Sequence, residues 1–144
     1  HLSMHQLRSM IKNRVVQKQG NEMSLLFESF GFKHGIPKDS DLVFDVRCLP
    51  NPYWDPQLRK YTGQDHSIVK FLEKEETVNA MFEDIDRFLQ RWLPEFQDNN
   101  RTYMTVSIGC TGGQHRSVYM AERLHKYYQN KFDNVQVRHR ELAF

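Results

Sequence analysis

The chain has 144 residues, enough for one domain with a hydrophobic core, and its hydrophobic (39%) and charged (26%) fractions are typical of a globular protein. The net charge is only +2, so overall basicity does not indicate nucleic acid binding, and any such site must be a local patch. Two cysteines exclude a disulfide framework, and the sequence shows neither a signal peptide nor an apolar stretch long enough to span a membrane. We therefore expect a cytoplasmic protein without a membrane partner.

Residues 1–20 have the pattern of an amphipathic helix. Ser3 and Gln6 form a capping-box pattern, and apolar residues then recur at helical spacing, at Met4, Leu7, Ile11 and Val15. We interpret this segment as the last helix and linker of a missing N-terminal domain, and residues 21–144 as the domain that carries the function. A helix packed on that domain is the alternative.

In residues 21–144, apolar and β-branched runs predict four strands, at 23–32, 42–46, 102–109 and 134–142. Helical periodicity predicts one helix within 75–96, where Pro94 marks its end, and another over 117–129. Three prolines within seven residues exclude regular structure around 47–63 and predict a long, stiff, aromatic loop. Strands that alternate with helices predict an α/β fold, a layered and mostly parallel sheet with flanking helices.

The segment Cys110–Ser117, with the sequence CTGGQHRS, lies between a predicted strand and a predicted helix, and we name it the anion loop. In this arrangement backbone N–H groups can converge on an anion at the start of the helix. Gly112 and Gly113 permit a positive φ and close backbone approach. Arg116 can bind phosphate oxygens, and Ser117 is placed to cap the helix. A tight turn with an exposed arginine is the alternative.

The spacing Cys-x-x-Gly-x-x-Arg-Ser in this loop also resembles the phosphate loop of cysteine-dependent phosphatases. There a thiolate attacks phosphorus, so Cys110 would be the nucleophile and Arg116 would bind the phosphate oxygens. Two features oppose this: Gly109 stands where that family carries histidine, and the general acid would have to be Asp45 or Asp55, which lie in no matching motif. Phosphatase chemistry stays the alternative to a loop that only binds an anion.

Polar side chains also follow the predicted strands at 23–32 and 42–46. If those strands neighbour the strand at 102–109, the side chains surround the anion loop, because the carboxyl ends of parallel strands meet at one edge. Arg and Lys suit a phosphate, and Asp and Asn suit hydroxyl groups, so the set predicts a phosphorylated-sugar pocket. Its members are Lys33, His34, Asp45, Arg47, Asn51, Tyr53, Asp55 and Arg59. The alternative for each residue is a solvated or packed structural role.

The C-terminal region is basic, and we name it the basic edge. Basic residues mixed with aromatic ones can contact the backbone and bases of RNA. The basic edge comprises Lys126, Lys131, Arg138, His139 and Arg140, beside Tyr127 and Tyr128. A solvated rim is the alternative for these residues.

Together these segments closely resemble the C-terminal domain of the RapZ family of RNase adapter proteins, whose relatives include the YvcJ-type nucleotide-binding proteins. The resemblance runs from about Ser24 to Leu142 and is carried by ESFGFKHGIP, DLVFDVRCLPNPYWDPQLRKYTG, IGCTGGQHRSVYMAERL and NVQVRHREL. It implies a fold similar to a phosphofructokinase subdomain, and it implies that the helix at 1–20 belongs to a P-loop kinase-like domain missing from this chain. ATP or GTP would bind that domain, so we expect no cofactor and no metal in this one.

The resemblance further implies a non-enzymatic domain that binds small regulatory RNAs, hands them to an endoribonuclease and senses glucosamine-6-phosphate, thereby regulating amino-sugar synthesis. It implies homodimers through this domain and tetramers of the full protein. The ligand site would comprise Lys33, His34, Asp45, Asn51, Tyr53, Cys110, Thr111, Gly112, Gly113, His115, Arg116 and Ser117, with Cys110 a loop residue near the ligand. The RNA site would comprise Lys33, Lys131, Arg138, His139 and Arg140.

Three departures from the enteric members of that family affect these expectations. Tyr53 replaces a histidine, and Gln114 replaces a lysine, which removes one cation from the anion loop. Asp133 and the ending RHRELAF stand where those members carry lysines. Because RNA affinity driven by phosphate neutralisation increases with the number of cationic contacts, these replacements predict weaker RNA binding.

Overall fold

The computed structural model of the protein describes residues 23–142, and the helix predicted for 1–20 lies outside them. In this range the strands are β1 (Ser24–Gly31), β2 (Leu42–Asp45), β3 (Tyr103–Cys110) and β4 (Asn134–His139). The α-helices are α1 (His66–Glu73), α2 (Glu76–Asp98) and α3 (Arg116–Tyr128). Short 3-10 turns follow β1 and β2, at Phe32–His34 and Pro52–Trp54.

The strands form one parallel sheet in the order β2-β3-β1-β4. The predicted α/β fold with a mostly parallel sheet is confirmed. β3 lies between β2 and β1, so the strand before the anion loop neighbours both strands whose following segments carry the polar side chains. Gly31 of β1 is paired with Cys110 of β3, and Asp45 of β2 with Gly109. The carboxyl ends of three strands therefore meet at one edge of the sheet.

The helices α1, α2 and α3 pack on one face of this sheet. Leu25 and Phe27 of β1 and Val106 and Ile108 of β3 point to that face, because successive side chains of a strand alternate between the two faces. They join the apolar stripes of the helices in one buried cluster, which includes Ile68, Leu72, Phe82, Ile85, Leu89, Tyr119, Met120 and Leu124. Burial of these stripes against the sheet stabilises the helices more than their intrinsic propensity does.

The segment between β1 and β2 packs on the opposite face of the sheet. Ser40 Oγ lies 2.5 Å from Ser107 Oγ, and the rings of Phe30 and Phe32 meet edge to face with centroids 4.8 Å apart. This face also buries the side chain of Glu28 completely. A buried carboxylate requires charged partners, and these partners come from the basic edge.

The structure contains one helix that the sequence pattern does not predict, and two elements end more than one residue away from their predicted ends. The sequence pattern predicts no helix at 66–73, where α1 forms because Ile68 and Leu72, one helical turn apart, are buried in the core. The prediction that Pro94 ends its helix is wrong, since α2 continues to Asp98. A proline near the end of a helix removes few hydrogen bonds, and Asn100, with a φ of 66°, then ends the helical path. Strand β4 is shorter than predicted and ends at His139.

Candidate functional site

A cavity of about 410 Å³ lies at the carboxyl edge of the sheet, among the segments that follow β1, β2 and β3. We name it the edge pocket. It is lined by Lys33, Asn51, Tyr53, Trp54, Cys110, Thr111, Gly112, Gln114, His115 and Arg116. Open parallel sheets commonly bind ligands at this position.

The anion loop forms one wall of the edge pocket, and Gly113 determines its path. Gly113 has a φ of +77°, a left-handed conformation that favours glycine, and a Cβ there would lie only 2.5 Å from the Gly31 nitrogen. The Gly113 N–H donates to Cys110 Sγ at 3.3 Å, and the Lys33 N–H donates to the Thr111 carbonyl at 3.2 Å. These contacts fix the loop against the end of β1.

His115 and Arg116, at the start of α3, are buried beside the edge pocket. Arg116 Nη1 donates to the carbonyl oxygens of Arg47 at 2.6 Å and Leu49 at 3.0 Å, which ties the segment after β2 to the anion loop. His115 Nε2 and Arg116 Nε are buried and have no hydrogen-bond partner among residues 23–142. Because buried polar atoms are nearly always paired, two such nitrogens beside a cavity are candidates to bind a ligand.

The Pro52–Trp54 turn contributes an aromatic wall to the edge pocket. Asn51 caps this turn, since its Oδ1 accepts a hydrogen bond from the Tyr53 N–H at 3.1 Å. Arg59 Nε donates to the Tyr53 carbonyl at 2.7 Å, and its guanidinium carbon lies 4.8 Å from the centre of the Tyr53 ring. Trp54 lies next to Tyr53, with ring centroids 5.9 Å apart, and its side chain remains largely exposed.

The lining of the edge pocket is positively charged. Lys33 and Arg116 carry its charge, and no Asp or Glu is among the described residues that line it. Asp45, which we expected in the site, instead forms an ion pair with Arg47, whose Nη2 lies 2.7 Å from Asp45 Oδ2. The hydrogen bond from Arg47 holds the pKa of the Asp45 carboxyl below its usual range. Two cations without a competing carboxylate favour an anionic ligand.

Cys110 is buried, and its Sγ lies 3.1 Å from Ser117 Oγ. The prediction that Ser117 caps α3 is wrong, because the helix begins at Arg116 and His115 occupies the N-cap position. A phosphatase requires a reachable thiolate and an arginine free to bind the transferred phosphoryl group. Here the Cys110 thiol is buried and Arg116 Nη1 donates to two backbone carbonyls, an arrangement that does not match the phosphatase alternative.

The structure brings most of the predicted ligand residues together. Those that line the edge pocket are Lys33, Asn51, Tyr53, Cys110, Thr111, Gly112, His115 and Arg116. Asp45, Gly113 and Ser117 lie outside the lining, and His34 lines a neighbouring groove with Arg140. Gln114 and Trp54 line the pocket in addition. Gln114 lies in the anion loop and Trp54 in the proline-rich segment at 47–63, and these positions are the signal that could have identified them.

Carboxylates pair with the arginines of the basic edge. Arg138 forms an ion pair with the buried Glu28 carboxylate and, at 2.9 Å, with Asp39. The hydrogen bond to Glu28 raises the pKa of Arg138 further above its usual range. Arg140 Nη1 lies 3.7 Å from the same Glu28 oxygen. Both side chains remain about half exposed, so they are accessible but already partly neutralised.

Two other residues of the basic edge also have contacts within the protein. The buried His139 ring lies between Ser29 Oγ and Glu122 Oε2, each 2.6 Å from one ring nitrogen, which leaves little of the imidazole accessible. Lys131 Nζ lies 4.7 Å from the centre of the Tyr127 ring. Lys131 is exposed and remains reachable.

Glu141 connects the basic edge to the anion loop. Its Oε2 accepts a hydrogen bond from the Gly31 N–H at 3.0 Å, at the end of β1. Its Cγ also packs against Gly113, closely enough that a Cβ on that glycine would collide with it. The residue that follows the two arginines therefore supports the wall of the edge pocket.

Two other features are absent from the part of the chain that the structure describes. Residues 23–142 contain no cluster of three or more His, Cys, Asp or Glu side chains suited to a metal ion. Within that range, none of the helices has the length and apolar character needed to cross a membrane.

Comparison with known proteins identifies relatives of the chain. The family model described as "RapZ C-terminal domain" matches residues 23–143. A "Nucleotide-binding protein" of Marinobacter nauticus is 61% identical over 141 residues, and one of Hahella chejuensis is 60% identical over 142 residues. The matches cover 98% and 99% of this chain but 48% and 50% of the relatives. The chain thus spans about half the length of the curated relatives it matches.

Proposed function

Because this chain belongs to the RapZ C-terminal domain family, we propose that it is a non-catalytic regulatory domain that binds a phosphorylated sugar in the edge pocket and a small RNA at the basic edge. Glucosamine-6-phosphate is the ligand that we propose, with regulation of amino-sugar synthesis as the outcome. In the cell the domain would work in the cytoplasm, in a homo-oligomer that presents the RNA to an endoribonuclease. Nucleotide binding, which the names of the relatives state, would belong to the half of those proteins that this chain does not span.

The observation that carries this proposal is the lining of the edge pocket. It combines Lys33, Arg116 and a glycine-containing loop at the start of a helix with no carboxylate from the described residues. The unpaired nitrogens of His115 and Arg116 supply further hydrogen-bond capacity. A phosphate group suits such a combination of cations and a helix start. Asn51, Thr111 and Gln114 supply neutral polar groups suited to hydroxyls.

Support for RNA binding at the basic edge is electrostatic. The side chains of Arg138 and Arg140 are 47% and 46% exposed, and exposed cations of this kind bind the RNA backbone by displacing counterions. Lys131 and Tyr127 offer a third cation and an aromatic ring. Since Arg138 already has carboxylate partners, we expect modest affinity that falls as the salt concentration rises.

Two lysines of one segment provide a matched test of the ligand site. Lys33 lines the edge pocket, whereas Lys38 lies five residues further on and lines a separate groove. We expect Lys33→Ala to weaken binding of glucosamine-6-phosphate and of inorganic phosphate by about tenfold, because a charge-assisted contact is lost. We expect Lys38→Ala to change both by less than about twofold. Isothermal titration of the three proteins measures this, and equal losses in the two variants would contradict the proposed site.

The RNA proposal is tested by fluorescence anisotropy of a labelled, structured small RNA at low and physiological salt. We expect the Arg138→Ala/Arg140→Ala variant to bind RNA more weakly. The slope of log affinity against log salt concentration should fall by about one to two, the change that corresponds to one or two lost phosphate contacts. No binding by the unchanged domain at low salt would contradict the proposal. The non-catalytic role predicts that p-nitrophenyl phosphate is not hydrolysed, and turnover that disappears in Cys110→Ser would favour a phosphatase instead.

A further inference from the structure

Trp54 has the highest relative exposure, 75%, of the large hydrophobic side chains in the described part of the chain. Tryptophan usually buries much of its surface, about 150–250 Å² for an aromatic side chain, so its exposure here requires a reason. It is also one of the residues that line the edge pocket. An exposed indole at the rim of a cavity is a common way to contact a ligand.

The backbone holds Trp54 in a defined position. The Trp54 N–H donates to the Asn51 carbonyl at 3.2 Å, and the Asn51 side chain caps the same turn through Tyr53. Pro52, inside the turn, is buried. Arg59 in turn holds Tyr53 through its carbonyl and its ring. A residue that only filled space in a mobile loop would not need this support, so the turn presents the indole in a preorganised way.

The edge pocket has room for more than an anion. Its volume of about 410 Å³ falls within the range of roughly 300–1,000 Å³ of cavities that hold a whole small ligand. Lys33 comes from the turn after β1 and Arg116 from the start of α3, whereas Tyr53 and Trp54 come from the turn after β2. A phosphate held by the anion loop therefore leaves the group attached to it within reach of Trp54.

We propose that Trp54 is a specificity-determining residue of the edge pocket, and that it selects phosphomonoesters whose ring stacks on its indole over open-chain phosphates and inorganic phosphate. This inference rests on the proposed phosphate site. It adds that the pocket distinguishes ligands by the ring that is attached to the phosphate. The ring can be the pyranose of a hexose 6-phosphate or the base of a nucleoside 5′-monophosphate, since both present a flat face to an aromatic side chain.

The test compares four probes that share the phosphate and differ in the attached group. They are glucose 6-phosphate, uridine 5′-monophosphate, sorbitol 6-phosphate (the open-chain counterpart of the first) and inorganic phosphate. Titration calorimetry of the unchanged domain and of Trp54→Ala gives the affinities. We expect at least one ring ligand to lose about tenfold in affinity in the variant, as is typical when a stacking contact is removed. Sorbitol 6-phosphate and inorganic phosphate should change by less than about twofold.

Fluorescence provides an independent readout, because the chain contains two tryptophans, Trp54 and Trp92. Trp92 belongs to α2, so a Trp92→Phe background leaves Trp54 as the single indole. In that background a selected ring ligand should change the emission, whereas inorganic phosphate should leave it nearly unchanged. The Trp54→Phe variant, which keeps a smaller aromatic face, should recover part of the affinity that Trp54→Ala loses.

Each outcome of the comparison is decisive. A loss confined to glucose 6-phosphate supports a sugar ring, and a loss confined to uridine 5′-monophosphate supports a base. Equal losses for all four probes would overturn the specificity role and make Trp54 a structural residue. The specificity role would also be overturned if the unchanged domain bound glucose 6-phosphate, sorbitol 6-phosphate and uridine 5′-monophosphate with equal affinity. The proposed phosphate site would not be affected by that result. Failure of all four probes to bind the unchanged domain would overturn the proposed function itself.

Discussion

The edge pocket and the basic edge both carry positive charge, but they differ in how that charge is balanced. In the edge pocket, Lys33 and Arg116 share the lining with neutral groups, and no carboxylate from the described residues is among them. At the basic edge, Arg138 is paired with Glu28 and Asp39. The first region has no carboxylate in its lining to compete with a ligand for its cations, whereas the second uses part of its positive charge to compensate a buried carboxylate.

This difference separates two kinds of anion binding. A cavity with unpaired buried nitrogens is preorganised for one small anion, so its affinity depends on geometry. A surface of partly neutralised arginines depends on competition between the carboxylates and a polyanion, so its affinity depends on salt. Counting basic residues in the sequence does not distinguish the two cases.

The largest expected effect comes from the backbone of the anion loop. Gly113→Ala places a Cβ in a left-handed conformation and against Gly31 and Phe30, and we expect it to lower the free energy of unfolding by about 3 kcal/mol. The same change should abolish phosphate binding. Gly112→Ala is the matched control, since a Cβ there meets nothing within 4 Å, and its effect on stability should stay within about 0.5 kcal/mol.

Urea unfolding measures both glycine variants, and phosphate titration measures their binding. If Gly113→Ala were as stable as Gly112→Ala, the anion loop would not depend on its left-handed glycine. The edge pocket would then lose the preorganisation that distinguishes it from the basic edge.

We expect a smaller effect when one of the carboxylates that pair with the arginines of the basic edge is removed. Asp39→Asn removes an exposed carboxylate that lies 2.9 Å from Arg138, so more of the Arg138 charge becomes available to RNA. We expect RNA affinity at low salt to rise by about two- to threefold, and phosphate affinity in the edge pocket to stay unchanged. Anisotropy and calorimetry measure the two effects. A fall in RNA affinity would show that the carboxylates beside Arg138 do not limit RNA binding at the basic edge.

The smallest effect concerns Asp45, whose pKa is lowered by the hydrogen bond from Arg47. A carboxyl with a lowered pKa in the folded state contributes stability above its unfolded pKa of about 3.9, and that contribution is lost as the pH falls through the folded pKa. Because the pair is about half exposed, we expect Asp45→Asn to cost well under about 1 kcal/mol at pH 7. The difference from the unchanged protein should shrink as the pH falls below about 3.9 and disappear once Asp45 is protonated in the folded protein. A difference that persisted there would have a cause other than charge.

Local patterns predict the parts of this molecule that depend on neighbours in sequence. The strands at 23–32 and 102–109 are apolar runs, and the anion loop follows from glycine spacing between a strand and a helix, so the site region could be located from the sequence. The helix α1 could not, because eight residues with two buried positions one turn apart give too short a periodic signal.

Long-range pairing explains what the sequence does not reveal. Glu28 and Arg138 are 110 positions apart and meet because β1 and β4 are neighbours with these two residues in register. The partial neutralisation of the basic edge therefore depends on strand order, which no local motif encodes. The position of Trp54 likewise depends on the segment after β2, which Arg116 holds through the carbonyls of Arg47 and Leu49 and which the Asn51 side chain caps.

The contacts of Glu141 decide where this domain can be cut or fused. Its carboxylate accepts a hydrogen bond from the Gly31 N–H, and its side chain packs on Gly113. The chain after β4 therefore supports the anion loop, and we call this contact the Glu141 wedge. A chain truncated after Arg140 would keep every strand and helix but lose this wedge. Tags and fusion partners are therefore better joined beyond Leu142, where they leave the support of the edge pocket in place.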